Sequence, residues 1–121
     1  MDIQDRSLEF GVRIIKFIGG LPKSTAGMVL AKQLIRSGTS IGANMEEADG
    51  AASKNDFINK VTIARKEARE TRYWLFLIKR SDLLENKAND KITDDLISEV
   101  HELMKILSAI INKAREAKTT K

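Results

Sequence analysis

The sequence predicts an all-α fold, an antiparallel up-down four-helix bundle. Apolar residues recur at steps of three and four through four segments, breakers and polar clusters separate those segments, and no strand-like alternation or low-complexity tract competes with them. The separators are Gly19-Gly20-Leu21-Pro22, the stretch 50–55 and the stretch 86–90. At 121 residues the chain is expected to form a single domain over 1–121 that a hydrophobic core alone can hold together. The last residues, Thr119 to Lys121, are expected to fray.

The first helix is expected from about Asp5 to Ile18, with Leu8, Val12, Ile15 and Ile18 as its inward face. Pro22 suits the approach to a helix, and Ser24 or Thr25 is placed to cap a second helix reaching about Ala52, with a seam of Leu30, Leu34, Ile41, Met45, Ala48 and Ala52. The third starts at Ser53 or Asn55 and ends near Arg80. Its seam of Phe57, Val61, Ala64, Ala68, Thr71, Leu75 and Ile78 alternates steps of four and three, the repeat of helices crossing at a shallow angle. For the fourth, Thr93 is the expected N-cap, with Asp94 and Asp95 in the first turn and Lys113 and Arg115 in the last, complementing the helix dipole. Leu96, Val100, Leu103, Leu107, Ile110 and Ala114 form its seam.

Three features exceed what a bundle core needs. A polar row on the second helix, Gln33, Ser37, Ser40, Asn44 and Glu47, runs beside the apolar seam. It reads either as a boundary stripe half in water or as a hydrogen-bonded network fixing helix register, in which case Asn44→Ala would cost about 1–3 kcal/mol. Across from it Ala31, Gly38 and Gly42 are small, and two glycines inside a helix point to close backbone contact. Finally, Phe10 and Phe17 on the first helix and Trp74 and Leu77 on the third, with Ile63 and Phe76, fall outside the expected seams. Such faces belong to a wide core or to an oligomer interface, and self-association is the expectation because homo-oligomers commonly hide them.

The chemistry is restrictive. There is no Cys, which removes thiolate metal sites and cysteine nucleophiles and fits a reducing cytoplasm. No apolar stretch is long enough for a membrane span, and the start of the chain, with Asp2, Asp5 and Glu9, does not read as a signal peptide. Di-iron bundles need Glu-x-x-His from each of two helices, whereas the single His101 follows Ser98 at that spacing. Glu47, Glu67 and Glu70 are the carboxylates to weigh for a cation, but helical acids are usually surface charges or ion-pair partners. No metal, cofactor or catalytic residue is expected: Ser37, Ser40 and Thr71 have no nucleophile motif, and no phosphate-cradling loop is present. A formal charge of +4 permits an anionic partner. Arg65, Arg69, Arg72 and Lys79 (or Arg80) share one flank of the third helix near Phe76, and such a stripe is a footprint of nucleic-acid binding. The competing reading is structural: long basic side chains cover apolar surface and pair with neighbouring helices, as Arg72 would with Glu47.

The run Leu21-Pro22-Lys23, then Gln33-Leu34-Ile35-Arg36-Ser37, then Ser40-Ile41-Gly42-Ala43-Asn44-Met45-Glu46-Glu47-Ala48 resembles the signature of the four-helix-bundle proteins called 23S rRNA intervening-sequence proteins. In the third helix Asp56-Phe57, Ile63-Ala64, Glu67-Ala68 and Glu70-Thr71-Arg72-Tyr73-Trp74-Leu75 continue the likeness, which covers about Phe10 to Ile78. The resemblance implies a small cytoplasmic bundle assembled as a homopentamer, in a family often encoded within insertions in large-subunit rRNA genes and akin to accessory proteins of diversity-generating retroelements thought to bind nucleic acid. It brings no catalytic residues. The expected function is therefore a non-enzymatic oligomer that binds RNA or DNA weakly and with little sequence preference. The alternative is a structural assembly module that docks a protein partner.

Overall fold

The computed structural model describes residues 1–119, with side chains as far as Ala117. Four helices follow in order: α1 (Ile3–Ile18), α2 (Thr25–Asp49), α3 (Lys54–Arg80) and α4 (Ala88–Thr119). No strand occurs among the described residues. Three helices begin with a short polar side chain that takes up a free backbone N–H: Asp2 accepts from Asp5 at 2.8 Å, Ser24 from Gly27 at 3.1 Å and Ser53 from Asp56 at 3.1 Å. α3 ends where Asp82 adopts a left-handed φ of 55°, so that Leu83 N–H donates to Ile78 at 3.4 Å and Asp82 N–H to Lys79 at 3.3 Å, and the exposed carbonyls are satisfied.

Each of α2 and α4 packs on its two neighbours in the chain or across the bundle, and α1 has no contact with α3 among the described residues. Ser7 lies against Gly42 and Ile14 against Gly38; Ser37 meets Thr71 and Glu47 meets Lys60; Arg65 reaches Ser108 and Lys79 reaches Asp94. Residue numbers thus rise along one helix as they fall along the next. The core between them comprises residues such as Ile14, Leu34, Ile41, Leu75, Leu103 and Ile111, none of them accessible to water.

Along the expected seams of α2 and α3, Leu34, Ile41, Met45, Ala48, Val61, Ala64, Ala68, Thr71, Leu75 and Ile78 are buried and Leu30 and Phe57 half-buried, while α2 stops at Asp49, with Gly50 as its C-cap, and leaves Ala52 outside. On α4 the fully buried position is Ile111 where Ile110, which is half-buried, was expected. Two larger expectations are corrected. On α1 the inward face is Ser7, Phe10, Gly11, Ile14 and Phe17, while Leu8 is 68% and Ile15 52% exposed. Both stripes have helical spacing, but the one chosen carries two phenylalanines, which bury more apolar area, and two small residues that admit α2 closely. The glycines of α2 complete that approach: a Cβ at Gly38 would stand 2.9 Å from Ile14, and one at Gly42 would touch the Ser7 backbone at 3.4 Å.

The second correction is the start of α4, which lies at Ala88 rather than after Thr93. Asn86 Oδ1 accepts from Ala88 N–H at 3.0 Å, while Thr93 is fully buried in the helix and donates to the Asn89 carbonyl at 2.8 Å. A threonine hydroxyl serves either as a cap or as a bond back to its own helix, and the sequence does not distinguish the two. Of the tail expected to fray, Thr119 ends α4, and the two residues after it lie outside the described residues.

Candidate nucleic-acid interface

The basic stripe on α3 exists, and it lies along the seam with α4. Arg65 Nη1 donates to Ser108 Oγ at 3.2 Å, Arg72 Nη1 lies 3.5 Å from His101 Nδ1, and Arg69 is exposed on the turn between them. The partners of Arg65 and Arg72 are a hydroxyl and an imidazole, neither of them an anion. Their positive charge is therefore oriented without being neutralised by those contacts. Lys79 differs, because its ammonium sits 2.6 Å from Asp94 in an exposed ion pair. Arg80, the alternative fourth member, stacks over the Phe76 ring at 6.0 Å. The stripe of four thus divides into three guanidinium groups that can meet phosphate and one lysine already engaged. The pairing of Arg72 with Glu47 does not form; Glu47 faces Lys60 at 3.5 Å.

The polar row of α2 is not one network. Ser37 is its one fully buried member and bonds across to α3, while at the exposed end of the row Glu47 faces Lys60 of α3. Ser37 Oγ lies 2.9 Å from Thr71 Oγ1, which in turn is 2.8 Å from the Glu67 carbonyl. Because the carbonyl can only accept, the Thr71 proton points there and Ser37 donates to Thr71. Ser40 and Asn44 bond to carbonyls of their own helix, at Arg36 and Ser40, and Gln33 accepts from Arg36. Thr71→Val should cost about 1–3 kcal/mol, since the buried Ser37 hydroxyl loses its acceptor, whereas Asn44→Ala should cost about 0.5 kcal/mol because only a partly buried local bond is lost. Urea unfolding midpoints compare the two directly.

A clasp the sequence reading missed joins α2 to α3. The Arg36 guanidinium forks onto Glu67, at 2.9 Å, and onto Glu70, whose Oε1 also accepts from Trp74 Nε1 at 3.2 Å. This arrangement occupies two of the carboxylates weighed for a cation, Lys60 faces the third, and among the described residues no group of three His, Asp or Glu converges. The signal available in the sequence was an arginine one turn from Gln33 on the flank of the polar row. At the far side of the bundle Arg6 makes a similar fork onto Glu99, at 2.6 and 3.1 Å, and the hydrogen bond to Glu99 raises the Arg6 pKa above its ordinary value.

Of the residues expected at an oligomer interface, Phe10 and Phe17 are 1% and 7% exposed and belong to the core of the single chain. Trp74 is half-buried against that core, and Leu77 remains exposed with Tyr73 and Phe76. The open apolar face of α1 is the other stripe, where Leu8, Val12 and Ile15 border a groove of about 260 Å³ against Thr39 and Ala43 of α2.

The family described as 23S rRNA-intervening sequence protein matches residues 1–109. The chain belongs to that family. A crystal structure of a protein with unknown function from the S23 ribosomal protein family of Bacteroides thetaiotaomicron VPI-5482 is 43% identical, with a TM-score of 0.81, over 91% of this chain and 98% of that one. No curated protein matches the chain. For an intervening-sequence protein the four-helix architecture is thus shared with a solved relative along nearly its whole length. No helix among the described residues is long and apolar enough to cross a membrane.

Proposed function

We propose that this intervening-sequence protein is a non-enzymatic homo-oligomer that binds RNA or DNA through the phosphate backbone. The observation that carries the reading is the arginine trio on the α3–α4 seam. Arg65 and Arg72 are held in place by Ser108 and His101, so their charge is presented without a neutralising partner in those contacts, and exposed Arg69 lies between them. Guanidinium groups suit phosphate because their donors form a planar fork. Backbone contacts of this sort carry no base readout, so many sequences are tolerated. One chain at +4 attracts weakly, but an oligomer repeats the trio and adds linked contacts through effective concentration. The apolar surfaces left open on α1 and α3 support self-association.

Fluorescence-anisotropy titration with single-stranded and duplex RNA and DNA tests the proposal. Affinity is expected to fall steeply with salt, because each phosphate contact releases condensed counterions. The double variant Arg65→Glu/Arg69→Glu is expected to weaken binding by about tenfold or more at low salt, with helical content and oligomer mass unchanged. Lys79→Ala is expected to change it little, since Asp94 already neutralises that lysine. No binding at low salt, or parent-like binding by the double variant, would make the stripe structural. The protein-docking reading would then take its place.

A further inference from the structure

Two rungs across the α3–α4 seam hold the arginine trio, and they differ in one chemical respect. Arg72 and Arg65 are seven residues apart on α3, and so are their partners, His101 and Ser108, on α4. The rungs therefore stand about 10 Å apart along the bundle, with exposed Arg69 between them. A serine hydroxyl stays neutral. Histidine is the one side chain whose ordinary change of charge falls between about pH 5 and 8. His101 is the single histidine of the chain, and it is exposed, so a proton reaches it without any opening of the helices.

Arginine has donors only, so in the Arg72–His101 contact Nδ1 is the unprotonated nitrogen and accepts. At 3.5 Å the bond is long and readily given up. Protonation removes the acceptor and leaves two cations on facing helices, which repel until an anion lies between them. The carboxylates near this rung are engaged elsewhere. On α4, Glu102 pairs with Lys105 at 3.5 Å, and Asp94, two turns back on the same flank, holds Lys79 at 2.6 Å. On α3, Glu67 and Glu70 turn to Arg36 of α2. Among the described residues α1 is the only other helix packed on α4; it brings Arg6, Glu9 and Arg13 to Glu99, which lies roughly 200° round the helix from His101. The charges left facing His101 are Arg65, Arg69 and Arg72 from α3, and Lys105 one turn on along α4, all of them positive.

We infer that His101, when protonated, is the fourth cation of the phosphate site, and that nucleic-acid binding by this protein tightens as pH falls through the histidine range. This rests on the phosphate-binding reading above. The fourth place expected for Lys79, which Asp94 neutralises, passes to a residue of the opposite helix. A phosphate group can accept from the imidazolium and from the Arg72 fork together, in charge-assisted bonds that relieve the repulsion between them. The bound state therefore holds the proton better than the free state, and binding takes a proton up. By linkage the protonated form is the tighter binder, so the added affinity is complete at the acid end of the range and absent at the alkaline end.

Anisotropy titrations with a labelled oligothymidylate, whose bases do not titrate in this range, test the inference at about pH 5.5 and about pH 7.5, where ordinary carboxylates are ionised. The parent is expected to bind about threefold or more tightly at the lower pH, with a salt slope steeper by about one. His101→Gln, which keeps an acceptor but gains no charge, is expected to lose that gain, and His101→Arg to bind tightly at both pH values. Calorimetry in two buffers of different ionisation enthalpy adds a second readout: net proton uptake on binding by the parent, and none by His101→Gln. Circular dichroism and sedimentation at each pH check that fold and mass stay constant. Equal parent affinity at the two pH values, or a gain retained by His101→Gln, would overturn the role of His101 and leave the arginine trio standing. Absence of parent binding at both pH values and low salt would overturn the phosphate reading itself, which keeps the two failures distinct.

Discussion

Phe10→Ala is expected to destabilise the chain by about 3–5 kcal/mol, the cost of emptying a large buried aromatic site. Phe10 is 1% exposed and lies in the same cluster as Ile14, Leu34 and Ile41, so its removal leaves a cavity that the surrounding helices can only partly close. Leu8→Ala, two residues away on the same helix, should leave helical content and the unfolding midpoint at dilute concentration nearly unchanged, and alter only the concentration dependence. Urea unfolding followed by circular dichroism distinguishes them. Equal losses for both variants would mean that α1 presents Leu8 inward after all, which would undo the assignment of its buried face.

Gly27→Ala should be nearly as costly, about 3 kcal/mol, although alanine normally favours a helix over glycine. The link from α1 crosses directly over the first turn of α2. A Cβ at position 27 would stand 2.9 Å from the Pro22 carbonyl carbon and closer still to its oxygen. The obstacle is backbone, which cannot rotate aside as a side chain does. Relief requires the link to lift, and Leu21 within it is 7% exposed and packed in the core. Gly27 N–H also donates to the Ser24 cap at 3.1 Å, so the same shift strains the start of α2. Thermal unfolding is the simple check: a Tm equal to or above that of the parent would show that the link yields freely.

The helices were legible because each bears a periodic apolar stripe and short polar breaks bound them. Ser24 and Ser53 were readable as caps because a serine preceded a periodic run. The small positions Gly38 and Gly42 were readable as a close helix contact because glycine is costly in a helix without one. α1 was misread because it carries two apolar stripes of equal regularity, and periodicity ranks neither above the other. The arginine stripe of the candidate interface was visible in spacing alone. Which of its members are neutralised was not, because Asp94, His101 and Ser108 are brought to α3 from another helix and from 15 to 43 residues away.

The sequence by itself determined the helical architecture, the family, and the presence of surplus apolar and basic side chains, since these depend on local spacing and residue type. Tertiary structure decided where the surplus went. Packing α1 against α2 through Gly11, Gly38 and Gly42 turned Phe10 and Phe17 into the core and left Leu8 and Ile15 outside. Packing α4 against α3 gave Lys79 an aspartate and gave Arg65 and Arg72 neutral partners. Both outcomes depend on how one helix is rotated about its axis against its neighbour. That rotation is set by the summed burial and close approach of all the helices at once, a quantity that no single stretch of sequence contains.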